Sequence, residues 1–306
     1  MIAHLTHKEI DRQKWDAAVM RSIAVQLYGL TWWLDAVAPG WDALVLNDYE
    51  AVMPLTARKK LGISYLAQPH VTQQLGVFAT EPSSQLVLDF LAAIPSKYKL
   101  TEICLNRSNE LPEAAEGTQA LQNFELRLQR PYEDLRAGYS KNLKRNLSKA
   151  AKAELNIQHN PNGLDACIEL FKTGKADAAN ALPDQFYSTL RAAIQACQQH
   201  AEVRILEAKH PSHGHVASGV FAIAQGRAIF LFSGNSDAGR DMAALPAIIN
   251  EFIQTHCQQL EILDFEGSNN ANLARFYKSF GSDLSLYLFY RQNALPTPVK
   301  WLKRTT

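Results

Sequence analysis

Two carboxylates stand two residues apart in the run Asp264-Phe265-Glu266. In an extended chain such positions face one side, so Asp264 and Glu266 are candidate bases pointing the same way. Glu266 precedes the flexible Gly267 and is the preferred base of the two; the competing reading is a carboxylate that caps the helix starting after Asn269. A second concentration of chemistry lies in residues 139–154, where Lys141, Arg145, Lys149 and Lys152 share one helical face with Lys144 near them. Such a stripe can hold the phosphates of CoA, tRNA or another polyanion, or be merely solvated. His210, His213 and His215 are imidazoles that suit zinc or copper, yet the Pro, Ser and Gly between them read as a polar hairpin tip. The chain has no Gly-x-Ser-x-Gly elbow, no phosphate-binding Gly-x-x-x-x-Gly-Lys-Ser/Thr loop and no His-Glu-x-x-His pair. Hydrolase, NTPase and zinc-protease chemistries therefore fall away.

The elements that must position these groups are clearest in the C-terminal half. Residues 203–206, 219–224 and 228–232 are short β-prone runs that read as an antiparallel meander. Leu245, Ile248, Ile249, Phe252 and Ile253 have the spacing of one apolar helical face. A strand over 261–265 follows, then a second apolar stripe of Leu273, Phe276, Tyr277 and Phe280 that stops at Gly281, and a last strand over 286–290. The N-terminal half repeats this order more weakly, with strands over 43–46, 51–55 and 72–78. After the capping candidates Ser83 and Ser84 comes a helix carrying Val87, Phe90, Leu91 and Ile94, and then a strand over 102–105. Meander, helix and strand thus occur twice, which predicts a duplicated architecture with a boundary near Arg130-Pro131, giving domains 1–130 and 131–306. In the first half Gln68, His70, Gln73 and Gln74 form a polar stretch that is a candidate acceptor-binding wall between the halves, or a set of structural hydrogen bonds. Trp32, Trp33 and Trp41 read as core.

The segment from Asn270 to Gly281 places a Tyr seven residues after an Asn and a Gly four beyond it. This resembles the fourth-helix signature of GNAT acyltransferases. Three further runs make the chain similar to the Fem-type branch of that superfamily: Ser140-Lys141-Asn142-Leu143-Lys144-Arg145-Asn146, Phe232-Ser233-Gly234-Asn235 and Asp264-Phe265-Glu266-Gly267-Ser268. The resemblance implies an α+β chain of two tandem GNAT-like domains, each a mixed, mostly antiparallel sheet flanked by helices. It makes Tyr277 the candidate general acid beside the leaving thiolate, a role that a phenol of pKa about 10 can fill; a core tyrosine is the plainer alternative.

It also implies a donor site that includes Ser233, Gly234, Asn235, Arg240 and Asn270, with acyl-CoA as co-substrate. The reaction expected is direct attack of a primary amine, on a small molecule or peptide, upon the acyl carbonyl, with a backbone N–H of residues 232–234 as oxyanion donor. One departure stands out. Where CoA-dependent members carry Gln/Arg-x-x-Gly-x-Gly/Ala, this chain has Arg240-Asp241-Met242-Ala243-Ala244-Leu245. The donor can then be an aminoacyl-tRNA held by Lys141, Lys144, Arg145, Lys149 and Lys152, as in Fem-type transfer to a peptidoglycan precursor. The departure also permits a non-catalytic binding module.

Composition sets the frame for these readings. Of 306 residues 47% are hydrophobic and 20% charged, the balance of a globular chain with a proper core. Lys and Arg number 31 against 30 Asp and Glu, so any attraction to a polyanion must be local. The charged N-terminus is not a secretory signal and no apolar run approaches the ~20 residues of a membrane span, so a cytoplasmic protein is expected. Cys104, Cys167, Cys197 and Cys257 lack metal or redox spacing and read as reduced, and no metal is expected.

Overall fold

The structure, a computed structural model, describes residues 1–24, 26–112, 115–174, 182–267 and 269–295. Ser268 of the resemblance lies outside the described residues. The chain divides into two compact units, Met1–Leu121 with Leu286–Thr306, and Gln122–Ser285. Residues 122–130 and 286–306 thus fall on the other side of the division from that given by a boundary at 130.

Unit 1 opens with β1 (Ile2–Leu5), α1 (Arg12–Arg21), α2 (Thr31–Val37), β2 (Asp42–Leu46) and β3 (Ala51–Leu55). It continues with β4 (Ala57–Lys60), β5 (Ile63–Ala67), β6 (Phe78–Ala79), α3 (Ser84–Ala92) and β7 (Tyr98–Cys104). Strands β1, β2, β3 and β6 form one antiparallel sheet. In the other sheet β4 pairs antiparallel with β5, and β5 runs parallel to β7. Trp33 and Trp41 are buried, as core tryptophans should be. The strand expected over 72–78 is a correction: only Phe78–Ala79 pairs with β3. Left-handed turns at Val71 (φ 54°) and Gly76 (φ 84°) bend the chain at both ends of that stretch, which makes a single bridge from Leu75 to Leu105 instead.

β8 (Thr118–Arg127) leads into unit 2, which holds α4 (Tyr132–Ala137), α5 (Lys141–Ala151), β9 (Asn156–His159), α6 (Leu164–Gly174) and α7 (Asp184–His200). β10 (Glu202–His210), β11 (Gly214–Ala224) and β12 (Arg227–Asn235) form the expected meander. Then come α8 (Asp237–Asp241), α9 (Ala244–His256), β13 (Ile262–Asp264) and α10 (Ala271–Lys278), and β14 (Asp283–Asn293) returns the chain to unit 1. The sheet order is β8-β13-β12-β11-β10-β9, and only the β12–β13 pair is parallel. Helix starts follow local chemistry: the side chains of Ser83 and Ser140 accept from Leu86 and Leu143 N–H, both at 3.1 Å, and Asn270 caps α10. The apolar face foreseen for α9 packs on the sheet, where Phe252 stacks on Phe221 with ring centroids 3.9 Å apart.

At the middle of this sheet the Arg227 guanidinium is buried between two carboxylates, Glu125 of β8 and Asp264 of β13, the latter at 2.6 Å. The three residues are 7%, 8% and 2% exposed, so the guanidinium meets its counter-charges away from water. Arg227→Ala would strand the two carboxylates and is expected to lower unfolding stability by about 3–5 kcal/mol. In the same urea titration Arg204→Ala, which loses only the exposed pair with Glu202, should cost less than about 1 kcal/mol.

Candidate active site

Within unit 2, β12 and β13 pair over three positions, Arg227–Ile262, Ala228–Leu263 and Ile229–Asp264, and among the described residues that register goes no further. β12 runs on to Asn235 paired only with β11, with a bulge opposite Val220 and Phe221 that re-aims the side chains around Leu231. Two adjoining compartments open there. The first, of about 340 Å³, is lined by Phe171 of α6, by Phe230 to Ser233, Asn235 and Arg240, and by Phe265, Glu266, Leu273 and Tyr277. The second, of about 310 Å³, shares Ser233, Asn235, Arg240 and Tyr277 and extends to Asn146, Lys149, Ala243, Leu245 and Pro246.

Tyr277 belongs to both compartments. Its ring stacks on Phe265 with centroids 5.1 Å apart, so it is at once part of the apolar stripe and a wall of the site. Burial, reinforced by the nearby Glu266 charge, pushes its phenol up to about 12, which keeps the proton on the oxygen at neutral pH.

Glu266 does not continue strand alternation. β13 ends at Asp264, and Glu266 takes a left-handed φ of 53° followed by Gly267 at 36°. The expectation that both carboxylates point one way is therefore corrected, because a left-handed turn separates them. Asp264 is held by Arg227 through Oδ2, and its Oδ1 accepts the Glu266 N–H at 2.8 Å. Glu266 lines the first compartment, where burial holds its carboxyl well above the ordinary value of 4.5. Gly267 is required at the turn, since a Cβ there would lie 2.1 Å from the Gln122 carbonyl.

The donor residues inferred by resemblance separate into two groups. Ser233, Asn235 and Arg240 line both compartments. The Arg240 guanidinium pairs with Asp237 and donates to the carbonyls of Asn235 at 2.8 Å and Gly174 at 3.2 Å. Gly234 packs directly on α6, where a Cβ would stand 2.3 Å from the Cys167 carbonyl, and it lines neither compartment. Asn270 spends its side-chain oxygen on the Asn272 and Leu273 N–H groups. Of the basic residues on and after α5 only Lys149 reaches a compartment wall; Lys144 donates to Ala137 O at 2.9 Å, and Lys141, Arg145 and Lys152 are exposed. Ala243, at the first Gly position of the donor loop, holds the left-handed conformation (φ 55°) that a glycine would adopt freely, and it offers α9 no side-chain cap.

Gln68, His70, Gln73 and Gln74 lie in unit 1, and none lines either compartment. Gln68 ties Thr72 O to the Cys104 N–H, both at 2.9 Å, while Gln74 accepts the Arg107 N–H and donates to Gln73. His70 is half-buried, and burial with the Arg58 charge lowers its pKa. The imidazoles His210, His213 and His215 sit at the β10–β11 hairpin tip, where His215 contacts the Ser218 hydroxyl at 2.7 Å. Among the described residues no group of three or more His, Cys, Asp or Glu side chains is placed to hold a metal ion. All four cysteines are free, and burial pushes Cys104, Cys167 and Cys197 up to about 12, which disfavours a thiolate nucleophile. Among the described residues no helix is long and apolar enough to cross a membrane.

Sequence reasoning did not find Phe171 or Phe230 as site residues. An isolated Phe in an amphipathic helix or strand carries no signal that separates a pocket wall from a core position.

A parallel β12–β13 pair that parts over a pocket, in a chain whose two units repeat strands, helix and strand, matches known structures across nearly its whole length. FemX superposes with a TM-score of 0.69 at 12% identity, covering 96% of this chain and 98% of that chain. The chain has the tandem GNAT fold of the Fem type. A tandem GNAT protein from the clavulanic acid biosynthesis pathway matches with a TM-score of 0.55 at 11% identity, covering 97% and 100% of the two chains. L-PGS from Bacillus licheniformis matches with a TM-score of 0.53 at 14% identity, covering 95% of each. No family model matches the sequence, and no curated protein matches it. In this fold the first compartment lies where β12 runs beyond β13, and the second adjoins it between β12, α5, α9 and α10.

Two stability measurements check the local geometry. A carboxyl whose pKa is raised on folding adds stability that is complete below the unfolded value of 4.5 and is lost as pH rises through the folded value. Glu266→Gln should therefore match the parent near about pH 4 and exceed it increasingly toward about pH 8 in urea unfolding; a pH-independent difference would refute the buried carboxyl. Ala243→Gly, which relieves a left-handed alanine, should raise the unfolding midpoint by about 1 kcal/mol equivalent.

Proposed function

We propose that the protein is an N-acyltransferase that moves an acyl group from acyl-CoA to a primary amine by direct attack in the unit 2 pocket. The observation that carries this reading is that Tyr277 and Glu266 line one compartment where β12 runs beyond β13. Tyr277 holds a proton that it can give to a departing thiolate, and Glu266, desolvated and raised, is a stronger base than an exposed carboxylate. As the nitrogen attacks, the C–N bond forms and the C–S bond breaks; Glu266 takes one proton from the amine and Tyr277 gives one to the sulfur. Neither residue forms a covalent bond to substrate. Asp264, bound to Arg227, positions the turn that carries Glu266 rather than accepting the proton itself.

The second compartment fits the phosphate end of the donor. Ala243 and Leu245 at the first turn of α9 line it together with Lys149 of α5, and the left-handed Ala243 adopts the backbone conformation a glycine would take freely there. The Fem-type alternative, an aminoacyl-tRNA donor and a peptidoglycan-precursor acceptor, is favoured by the exposed face of Lys141, Arg145, Lys149 and Lys152, whose Lys149 joins that face to the pocket. A cytoplasmic location accords with either donor. A non-catalytic module is the reading left if neither donor binds.

Calorimetric titration with acetyl-CoA and CoA, beside a charged-tRNA binding assay, separates these readings. With CoA binding established, Tyr277→Phe should lower kcat by about 10²-fold with little change in the KM for donor, the loss of one proton donor. Unchanged turnover would remove Tyr277 as the acid.

A further inference from the structure

We propose, resting on the acyl-donor reading above, that the first compartment receives the acyl group and selects an apolar one of aromatic size over acetyl, with Phe171 and Phe232 as the wall that sets the preference. The two compartments share the polar side chains Ser233, Asn235, Arg240 and Tyr277. A donor whose phosphate end lies in the second compartment brings its acyl carbonyl to that shared wall, beside Tyr277, and whatever follows the carbonyl enters the first. The part of the first compartment beyond the shared wall is lined by Phe171, Leu231, Phe232 and Phe265, with Gly174 and Glu266 beside them. Among the described residues Glu266 is its ionisable member, and burial favours the neutral form of that carboxyl. Arg240, on the shared wall, is turned toward Asp237 and the carbonyls of Asn235 and Gly174. An entering group therefore meets mainly rings and aliphatic side chains.

The wall is also fixed in place. Phe171 and Phe232 pack with ring centroids 4.8 Å apart, and Phe186 of α7 stands behind Phe232 at 6.0 Å. On either side of Phe171, α6 already rests on the end of β12: a Cβ on Gly234 would stand 2.3 Å from the Cys167 carbonyl, and one on Gly174 would stand 2.4 Å from the Asn235 carbonyl. The helix cannot settle closer to the strand around a small acyl group. The space before it is about 340 Å³, whereas an apolar cavity of about 150 Å³ is enough to hold benzene. An acetyl methyl would leave most of this apolar surface in water, and a phenyl ring would cover it. The same wall would read the side chain of an aminoacyl ester, so the chemistry selected is that of the acyl group, whichever carrier brings it.

Calorimetry on the purified full-length protein, with no acceptor amine present, tests the assignment. The probes are acetyl and phenylacetyl thioesters, each on CoA and on N-acetylcysteamine, a carrier without phosphates. On each carrier that binds, phenylacetyl should bind at least about tenfold more tightly than acetyl, the discrimination that an apolar pocket makes on added hydrocarbon. Phe171→Ala, which removes one face of the wall, should cut this preference at least about fivefold. Phe171→Trp, which keeps a ring against Phe232 and fills the space, should cut it as much. Free CoA, which has no acyl group, is the control ligand and should bind each variant as it binds the parent. Equal affinities for the two acyl groups, no binding of any thioester, or an unchanged preference in both variants would overturn the proposal. Equal affinities together with phenethylamine binding to the CoA complex would give the compartment to the acceptor instead. CoA binding without an acyl preference defeats this assignment alone, whereas a phenylacetyl preference on N-acetylcysteamine without CoA binding defeats the CoA donor and leaves the acyl pocket standing.

Discussion

A guanidinium inside a sheet must be neutralised where it stands, and in unit 2 this constraint is met by Glu125 and Asp264 from the strands beyond β12. The cluster spans three neighbouring strands, β8, β13 and β12. It holds the short β13 in register with β12 at the level of Arg227 to Ile229, and β12 then continues without it. The opening that becomes the pocket begins at the end of that register. The same Asp264 that answers Arg227 also accepts the Glu266 N–H, so the charge cluster and the turn that presents the pocket carboxylate are one connected structure.

Both units contain a parallel strand pair joined through a helix, β5 with β7 around α3 and β12 with β13 around α9. They treat the end of that pair differently. In unit 1 the chain after β5 stays on β7: the Gln68 N–H donates to Glu102 O at 2.9 Å, its side chain takes the Cys104 N–H, and Leu75 bonds with Cys104 and Asn106. Backbone groups that would line an opening are thus satisfied by the chain's own segment. In unit 2 the chain after β12 turns away into α8 and α9, and residues of β12, α6, α10 and the turn after β13 line the gap. A repeated order of elements therefore produces one stitched strand pair and one open one.

The donor loop shows how a motif can lose its residues and keep its shape. Ala243 occupies a left-handed conformation that costs an alanine roughly 1–2 kcal/mol. The bend persists because its neighbours fix it: Ala243 and Ala244 are buried, and the Arg240 guanidinium anchors the preceding turn to Asn235 and Gly174. The absence of glycine at this position is thus compatible with the geometry that glycine ordinarily supplies.

Periodicity and caps determined much of this protein on their own. The meander of β10 to β12, the apolar face of α9, the α10 helix within Asn270 to Gly281 and the Ser83 cap of α3 all follow from spacing and local hydrogen bonding, which act over a few residues. Tyr277 and Glu266 were legible as candidates, and they do meet in one pocket. Tertiary structure decided the rest. Asp264 became a buried partner of Arg227 because a charge 37 residues away in sequence needed it. Glu266 left the strand because its backbone turned left-handed before a glycine pressed on Gln122 and Asn123. Gln68 and Gln74 became internal ties because distant backbone N–H groups required acceptors, and Phe171 became a pocket wall because α6 lies across β12. Local sequence fixes which way a side chain leaves its own element; which partner it then meets depends on elements far along the chain, and no short-range pattern encodes that.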